Sequence, residues 1–410
     1  MKHVTSVEKF THNIRIFYLS AAAKSAAIAM PHAILTLIFL KKGITYSQIA
    51  AIQAVYSSAI ILFEFPSGIL ADKYSKKILY ISSNIVMLLC YIIVLNCESF
   101  FMMAFAWFLY GTANAFETGT LDSHIIITAK KICEEEKVQT VITEFIGKCN
   151  SLAAISSILG AGIGFILYQF IDIYIYHIML LLMCISGIFI LFQYQGEQTD
   201  ETQERPGIIH LMQNMVYELK NSRALRWIIA GFGVLQIYIQ IHFQMWQSFF
   251  LELGYDKKIF LGLYLLFQVI TIIVYRLPVF QLMKKYMPAL ALLGVMSVLF
   301  LYLTAHRSFS ILFYCVPVII VFMLQYYLEI LYGMKVREEN ISSLTSLTST
   351  IMRCFGAFTL FIAGITIKHF SLRILYLVFP LIAIIGGTFI CNINRKHFTA
   401  STEKADGNTL

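Results

Sequence analysis

The stretch GTANAFETGTLD, residues 111 to 122, sets Glu117 in an apolar run with Asn114 one turn before it and Asp122 five residues after it. A carboxylate in such surroundings loses hydration, which raises its affinity for protons, so Glu117 and Asp122 are the candidates for proton coupling. Further ionisable groups lie in similar runs: Lys24, His32, Glu64, Glu144 and Lys148 in the first half, Glu329 and Arg353 in the second. A charge at the centre of a bilayer costs about 2.5 to 3.5 kcal/mol even on insertion scales, so each needs a partner or a task. Glu117 paired permanently with Lys24 would be structural instead of proton-carrying. Asp122 is expected to pair with Lys148, and Glu329 with Arg353. Glu144 and Lys148, one turn apart, can also satisfy each other. His32 follows Pro31, and a lone histidine beside a kink is more often a packing residue than a relay.

The second half is richer in amides. Gln236, Gln240 and Gln247 fall within about 40° of one another on a helical wheel, with Phe243 between them and Trp246 nearby. Such a stripe is too polar to face lipid, so it is expected to line a substrate cavity, which Gln268 and Gln325 extend.

The elements that must carry these groups are membrane helices. Of the 410 residues 59% are hydrophobic and 13% charged, against roughly one quarter charged in a soluble domain. A crossing needs about 20 apolar residues. Twelve such runs occur: 14–40, 45–71, 78–97, 100–128, 141–170, 173–194, 225–251, 258–281, 287–305, 309–333, 341–367 and 372–394. The fold class is therefore an all-α integral membrane protein with twelve transmembrane helices in two six-helix bundles. The first run is too long for a cleaved signal peptide. The eight cysteines are scattered, none in a C-x-x-C pair, and read as small core residues. The net charge of +8 comes from Lys and Arg concentrated in loops on one side, which fits the positive-inside rule and not nucleic-acid binding. Both termini are expected in the cytoplasm.

Residues 194–223 form the longest interior polar segment; the first part is acidic, and from Pro206 the apolar residues recur at helical spacing. It divides the chain into an N-terminal bundle (1–195), a cytoplasmic linker (196–222), a C-terminal bundle (223–396) and a tail (397–410). A weak repeat supports the division. FLKKG (39–43) ends the first run and FLELG (250–254) the seventh, each followed by a proline-containing region and a basic loop.

One of those loops is G68-I-L-A-D72-K73-Y-S75-K76-K77, preceded by E64-F-P66-S. It resembles the G-x-x-x-D-R-x-G-R-K loop of the major facilitator superfamily, and G111-T-A-N-A-F-E117-T-G119-T-L-D122 resembles a fourth-helix pattern common in bacterial members. Ser75 and Lys73 depart from the family's glycine and arginine. The resemblance implies that Gly68, Asp72, Lys73, Lys76, Lys77 and Glu64 form a conformational latch, and that helices 1, 2, 4 and 5 line half of the cavity, through Lys24, His32 and Asn114. Physically, Gly68 permits close helix approach, Asp72 can cap the third helix, and the three lysines suit anionic headgroups. Gly147-Lys148 resembles the family's Gly-Arg in helix 5.

G160-A-G162-I-G164 has no following Lys-Ser/Thr and reads as a helix-packing run, not a nucleotide loop. No Walker A, H-E-x-x-H, G-x-S-x-G or cofactor fingerprint occurs, so neither a catalytic set nor a cofactor or metal is expected. The function expected is secondary active transport by alternating access in a bacterial inner membrane: proton-coupled export of an amphipathic drug-like compound or antibiotic by a monomer in lipid. Proton-coupled nutrient uptake is the alternative, and a non-transporting sensor or immunity protein of the same fold is a third.

Overall fold

In the computed structural model, residues 2–32, 35–44, 46–195, 208–256, 259–303, 307–369 and 371–406 are described. Among them every regular element is helical: α1 (Lys2–His32), α2 (Leu35–Lys41), α3 (Tyr46–Lys73), α4 (Lys76–Asn96), α5 (Phe100–Glu117), α6 (Leu121–Ile132), α7 (Glu135–Ile171), α8 (Ile175–Ile188), α9 (Ile208–Asn221), α10 (Arg223–Glu252), α11 (Phe260–Val274), α12 (Val279–Leu303), α13 (Arg307–Lys335), α14 (Ile341–His369) and α15 (Leu372–Asp406). The twelve expected runs map onto these in order, with α1 and α2 sharing the first and α5 and α6 the fourth. Residues 196–207 of the expected linker lie outside the described residues, and from Ile208 the chain is helical as its spacing suggests.

Eight described stretches are long and apolar enough to cross a membrane, one of which, Lys137–Gln193, runs through both α7 and α8. α1 and α5 are not among them, because their apolar character is diluted by polar groups: Lys24 in one, Asn114 and Glu117 in the other. The eighth run ends early, at Val274. Pro278 disfavours helix at the residue before it, so the chain turns and α12 starts at Val279.

The chain divides into two compact units, Met1–Val216 with Val336–Thr350, and Tyr217–Lys335 with Ile351–Leu410. The first turns of α14 thus belong to the first unit.

In that unit, α1 carries residues of two cores. Ala27 and Met30 pack with Met87, Tyr91, Trp107, Tyr110 and Tyr176; Phe10 and Phe17 pack with Tyr80, Ile125, Phe145 and Tyr194. Lys24 falls between the two sets. The glycine run does pack helices: a Cβ on Gly160 would lie 2.3 Å from Ala26 O, and one on Gly164 2.3 Å from Met30 O, whereas Gly162 faces open space. With i, i+4 glycines against i, i+4 residues, α7 lies directly on the backbone of α1.

In the second unit, α10 packs along α13 and α15, and α12 packs on α13 and α15. Aromatic rings fill its interior. His242 donates to or accepts from Tyr314 Oη at 2.8 Å, and Phe249 and Tyr314 both meet Tyr376.

The two units repeat one local device. Gly43 N–H reaches Leu40 O at 3.0 Å and Ile44 N–H reaches Phe39 O at 3.0 Å; in the other unit Gly254 reaches Leu251 at 2.9 Å and Tyr255 reaches Phe250 at 3.0 Å. Both glycines are left-handed, with φ of +77° and +80°, as a Schellman helix stop requires. The residues two before these glycines tie the same kind of place with different chemistry. Lys41 pairs with Asp172 just before α8, and Glu252 Oε2 accepts from the backbone of Leu372 at the start of α15, 3.1 Å away.

Candidate functional site: buried charges and a capped helix

The fourth run is broken where its charges sit. α5 ends at Glu117, Gly119 takes φ +72°, and α6 starts at Leu121. Two threonines hold the break: Thr120 Oγ1 donates to Glu117 O at 2.6 Å, and Thr118 Oγ1 to Asn114 O at 3.2 Å. Carbonyls that a continuous helix would satisfy are thereby satisfied locally, which a membrane interior demands.

Glu117 Oε2 lies 2.8 Å from Lys24 Nζ, whose side chain is only 3% exposed against 33% for the glutamate. Lys24 also donates to Ser83 Oγ at 3.3 Å and sits 4.9 Å over the Tyr80 ring. Ser83 passes its own hydrogen to Ala113 O at 2.8 Å. The cation is therefore enclosed and the anion is reachable. Asn114 donates to Tyr56 Oη at 3.3 Å, and Tyr56 stacks on Tyr110 at 5.0 Å, so one face of α5 presents an amide, phenols and the carboxylate together.

The expected Asp122–Lys148 pair is not formed. The break at residues 118–120 places Asp122 in the first turn of α6, half-buried, where a negative charge suits the helix dipole. Lys148 instead pairs with Glu144 at 3.5 Å, both side chains being more than half exposed. At 37 residues, α7 is about 55 Å long and exceeds a hydrocarbon core of about 30 Å, so charges on its early turns can lie outside it. The His32 side chain lies outside the described residues.

The second assembly of the first unit is built around Asp72, at the end of α3. Its Oδ1 accepts from Ser342 N at 3.1 Å, and its Oδ2 accepts from Ser343 N at 2.7 Å and Ser343 Oγ at 2.5 Å. Asp72 thus caps α14, and not the third membrane helix α4 as its position in sequence suggests. Orphan N–H groups and the positive dipole end of α14 receive a carboxylate whose side chain is 1% exposed. Lys76 Nζ stands 3.9 Å from Asp72 and is buried with it. Gly68 lets α14 approach: a Cβ there would meet Ser346 Oγ at 2.5 Å and Ser342 O at 2.8 Å. Of the lysines expected at headgroups, Lys76 is buried beside Asp72, and Lys77 donates to Leu191 O at 2.9 Å and Tyr194 O at 2.8 Å, closing the end of the sixth span. Lys73 lies 5.5 Å over the Tyr74 ring. Glu64 is fully buried in α3, and Ser67 one turn on donates to Ala115 O at 2.6 Å, joining α3 to α5.

In the second unit the amide stripe is only partly one surface. Gln236 Nε2 donates to Gln240 Oε1 at 3.3 Å, Gln240 lies against Gly356, and Phe243 is 56% exposed beside Phe322. Gln247 is exposed further along, and Gln268 is half-buried. Trp246 stands off the stripe, buried edge-on against Phe260 and Phe267. Gln325 joins Glu329, not the stripe: its Nε2 donates to Glu329 Oε1 at 3.0 Å, and Tyr275 Oη donates to the same oxygen at 3.3 Å. Glu329 therefore has neutral partners and does not pair with Arg353, since the i, i+4 glutamine and the end of α11 occupy its reachable oxygen. Sequence reasoning missed His242, ringed by Phe243, Phe267, Tyr314 and Phe322. A histidine between two flagged residues of α10 was the available signal.

The fold is that of a polytopic helical membrane protein with charged side chains buried among its helices. The profile of the Major Facilitator Superfamily matches residues 17–334. The chain belongs to that superfamily and is a multi-pass membrane protein. It is 24% identical over 244 residues to the uncharacterized MFS-type transporter YxaM of Bacillus subtilis (strain 168), an alignment covering 59% of this chain and 60% of that relative's length. A variant of the E. coli fucose:proton symporter FucP superposes with a TM-score of 0.72 at 12% identity, covering 95% of this chain and 99% of that one. The human organic anion transporter MFSD10 superposes at 0.63 and 10% identity, over 94% and 98% of the two chains. At such identities these structures share the fold.

Proposed function

We propose that the protein is a proton-coupled exporter of amphipathic, drug-like compounds or antibiotics, working by alternating access as a monomer in a bacterial cytoplasmic membrane with both termini inside. Its working bodies are residues 1–195 and 223–396, joined by the segment 196–222. The Lys24–Glu117 pair carries this reading. Protonating Glu117 leaves Lys24 buried with Ser83 and the Tyr80 ring alone, and stranding one member of a buried pair costs about 3 to 5 kcal/mol. Proton binding at the reachable carboxylate is thus coupled to a rearrangement around α1, and an amphipathic cation and a proton are alternatives at the same group. Asp122, at the break in the fourth span, is the second proton-coupling carboxylate. The Asp72 cap on α14 serves as the latch, with Gly68, Lys73, Lys76, Lys77 and Glu64 around it. Tyr56 and Asn114 in the first unit, and Gln236, Gln240 and Phe243 in the second, are polar and aromatic groups of the kind such substrates need.

The test is accumulation of a panel of amphipathic cations and antibiotics in an efflux-deficient bacterium, comparing wild type with Glu117→Gln, with and without a proton uncoupler. Lower accumulation that disappears with both the substitution and the uncoupler is the expected result; unchanged accumulation across the panel removes the export reading. Proton-coupled nutrient uptake is the second reading, favoured by the likeness to a protein named a fucose:proton symporter. It predicts uncoupler-sensitive uptake of a labelled polar solute through the same carboxylate.

A further inference from the structure

Glu117 in the first unit is answered by a cation, whereas Glu329 in the second meets only neutral donors. Glu329 stands on α13, six residues and about 9 Å along the helix from Lys335, within the apolar stretch Phe309–Lys335. Both hydrogens that reach it, from Gln325 Nε2 and Tyr275 Oη, go to Oε1. Oε2 is sealed from solvent with no hydrogen-bond partner, and so is Gln325 Oε1 beside it. Two buried acceptor oxygens therefore face no donor, and the cluster is one hydrogen short.

We propose that Glu329 is a proton-binding site, with the proton carried on Oε2. An O–H bond formed there with a proton from water cancels the buried charge and turns an orphan acceptor into a donor. Rotation of the Gln325 amide then lets its own orphan oxygen accept that hydrogen. Releasing the proton restores a carboxylate held at Oε1 by two neutral donors. Among the described residues no cation stands beside that charge. Of the elements packed against α13, α11 presents the Tyr275 phenol and α13 itself the Tyr326 phenol, while α10, α12 and α15 present no charged group acting on Glu329 among the described residues. The Lys24–Glu117 pair is different in kind: its glutamate has a lysine at 2.8 Å, so a proton there must displace a cation. At Glu329 a proton displaces nothing. A place for this proton in the transport cycle rests on the proton-coupled reading above, but its binding does not.

The experiment is infrared spectroscopy of the full-length protein in proteoliposomes, titrated with pH and with H/D exchange. A protonated carboxylic acid has a carbonyl stretch separate from the carboxylate and amide bands. Wild type and Glu117→Gln are expected to show a band that vanishes at high pH and is lost in Glu329→Gln. Tyr275→Phe removes one donor to the charged form, so it should move the disappearance of the band upward by about one pH unit. This second variant keeps the test intact if Glu329→Gln fails to fold. A band undiminished in Glu329→Gln, or no band in wild type at any pH, overturns the proposal. So does a band removed by exchanging potassium for sodium at constant pH, which would make this a sodium site. None of these outcomes depends on transport: a confirmed band without uncoupler-sensitive accumulation keeps the site and discards the export reading.

Discussion

Asp72→Asn tests how α14 is held in the first unit. The amide keeps the shape of the carboxylate but turns one accepting oxygen into an NH2. Asp72 receives two backbone N–H groups and one hydroxyl, so either Ser342 N–H or Ser343 N–H must then face a donor. Lys76, buried and 3.9 Å away, loses its counter-charge. One lost hydrogen bond to a charged group contributes about 1.5 to 3 kcal/mol and the stranded lysine adds to it, giving about 2 to 4 kcal/mol, or about 30- to 900-fold in the docking equilibrium. The assay is hydrogen–deuterium exchange of peptides covering residues 338–350, with a buried peptide of α13 as internal reference. In the variant the amides of Ser342 and Ser343 should exchange faster by that factor, while the reference is unchanged. If they exchange at the wild-type rate, the cap is not what holds the helix, and the packing of Gly68 on Ser346 must suffice by itself. Under the proposed function the same variant cycles poorly while still binding substrate.

Gly160→Ala should lower the thermal unfolding temperature, since its Cβ would sit 2.3 Å from Ala26 O and such overpacking costs about 1 to 3 kcal/mol. Gly162→Ala, facing open space two residues on, should be neutral or stabilising by up to about 1 kcal/mol through helix propensity; a melting series in detergent separates the two. Gln240→Leu removes the acceptor of the Gln236 bond and one amide of the stripe, so the profile of compounds handled in the accumulation assay should change; an unaltered profile places the stripe outside the cavity.

Much of the fold was legible in the amino-acid order because a membrane imposes long apolar runs, and run lengths survive any packing. The repeat was legible in FLKKG and FLELG, where a left-handed stop requires glycine at the same place in each unit. Breaks inside runs were harder to read. Thr-Gly-Thr after Glu117 and Pro278 after α11 interrupt helices, and in apolar company such residues also occur within continuous ones.

Partners were harder still. The sequence by itself determined the inventory: which charges lie in apolar runs, which glycines sit at packing intervals, and that Glu117 with Lys24, or Glu144 with Lys148, were possible pairs. Only the tertiary structure decided that Asp72 caps α14, some 270 residues away, and that Glu329 meets Tyr275 and Gln325 in place of Arg353. The reason is physical. Hydrophobic periodicity depends on each residue and its near neighbours, whereas a buried charge is satisfied by whichever donor the packed helices bring within about 3 Å, and helical spacing along one segment carries no record of that distance.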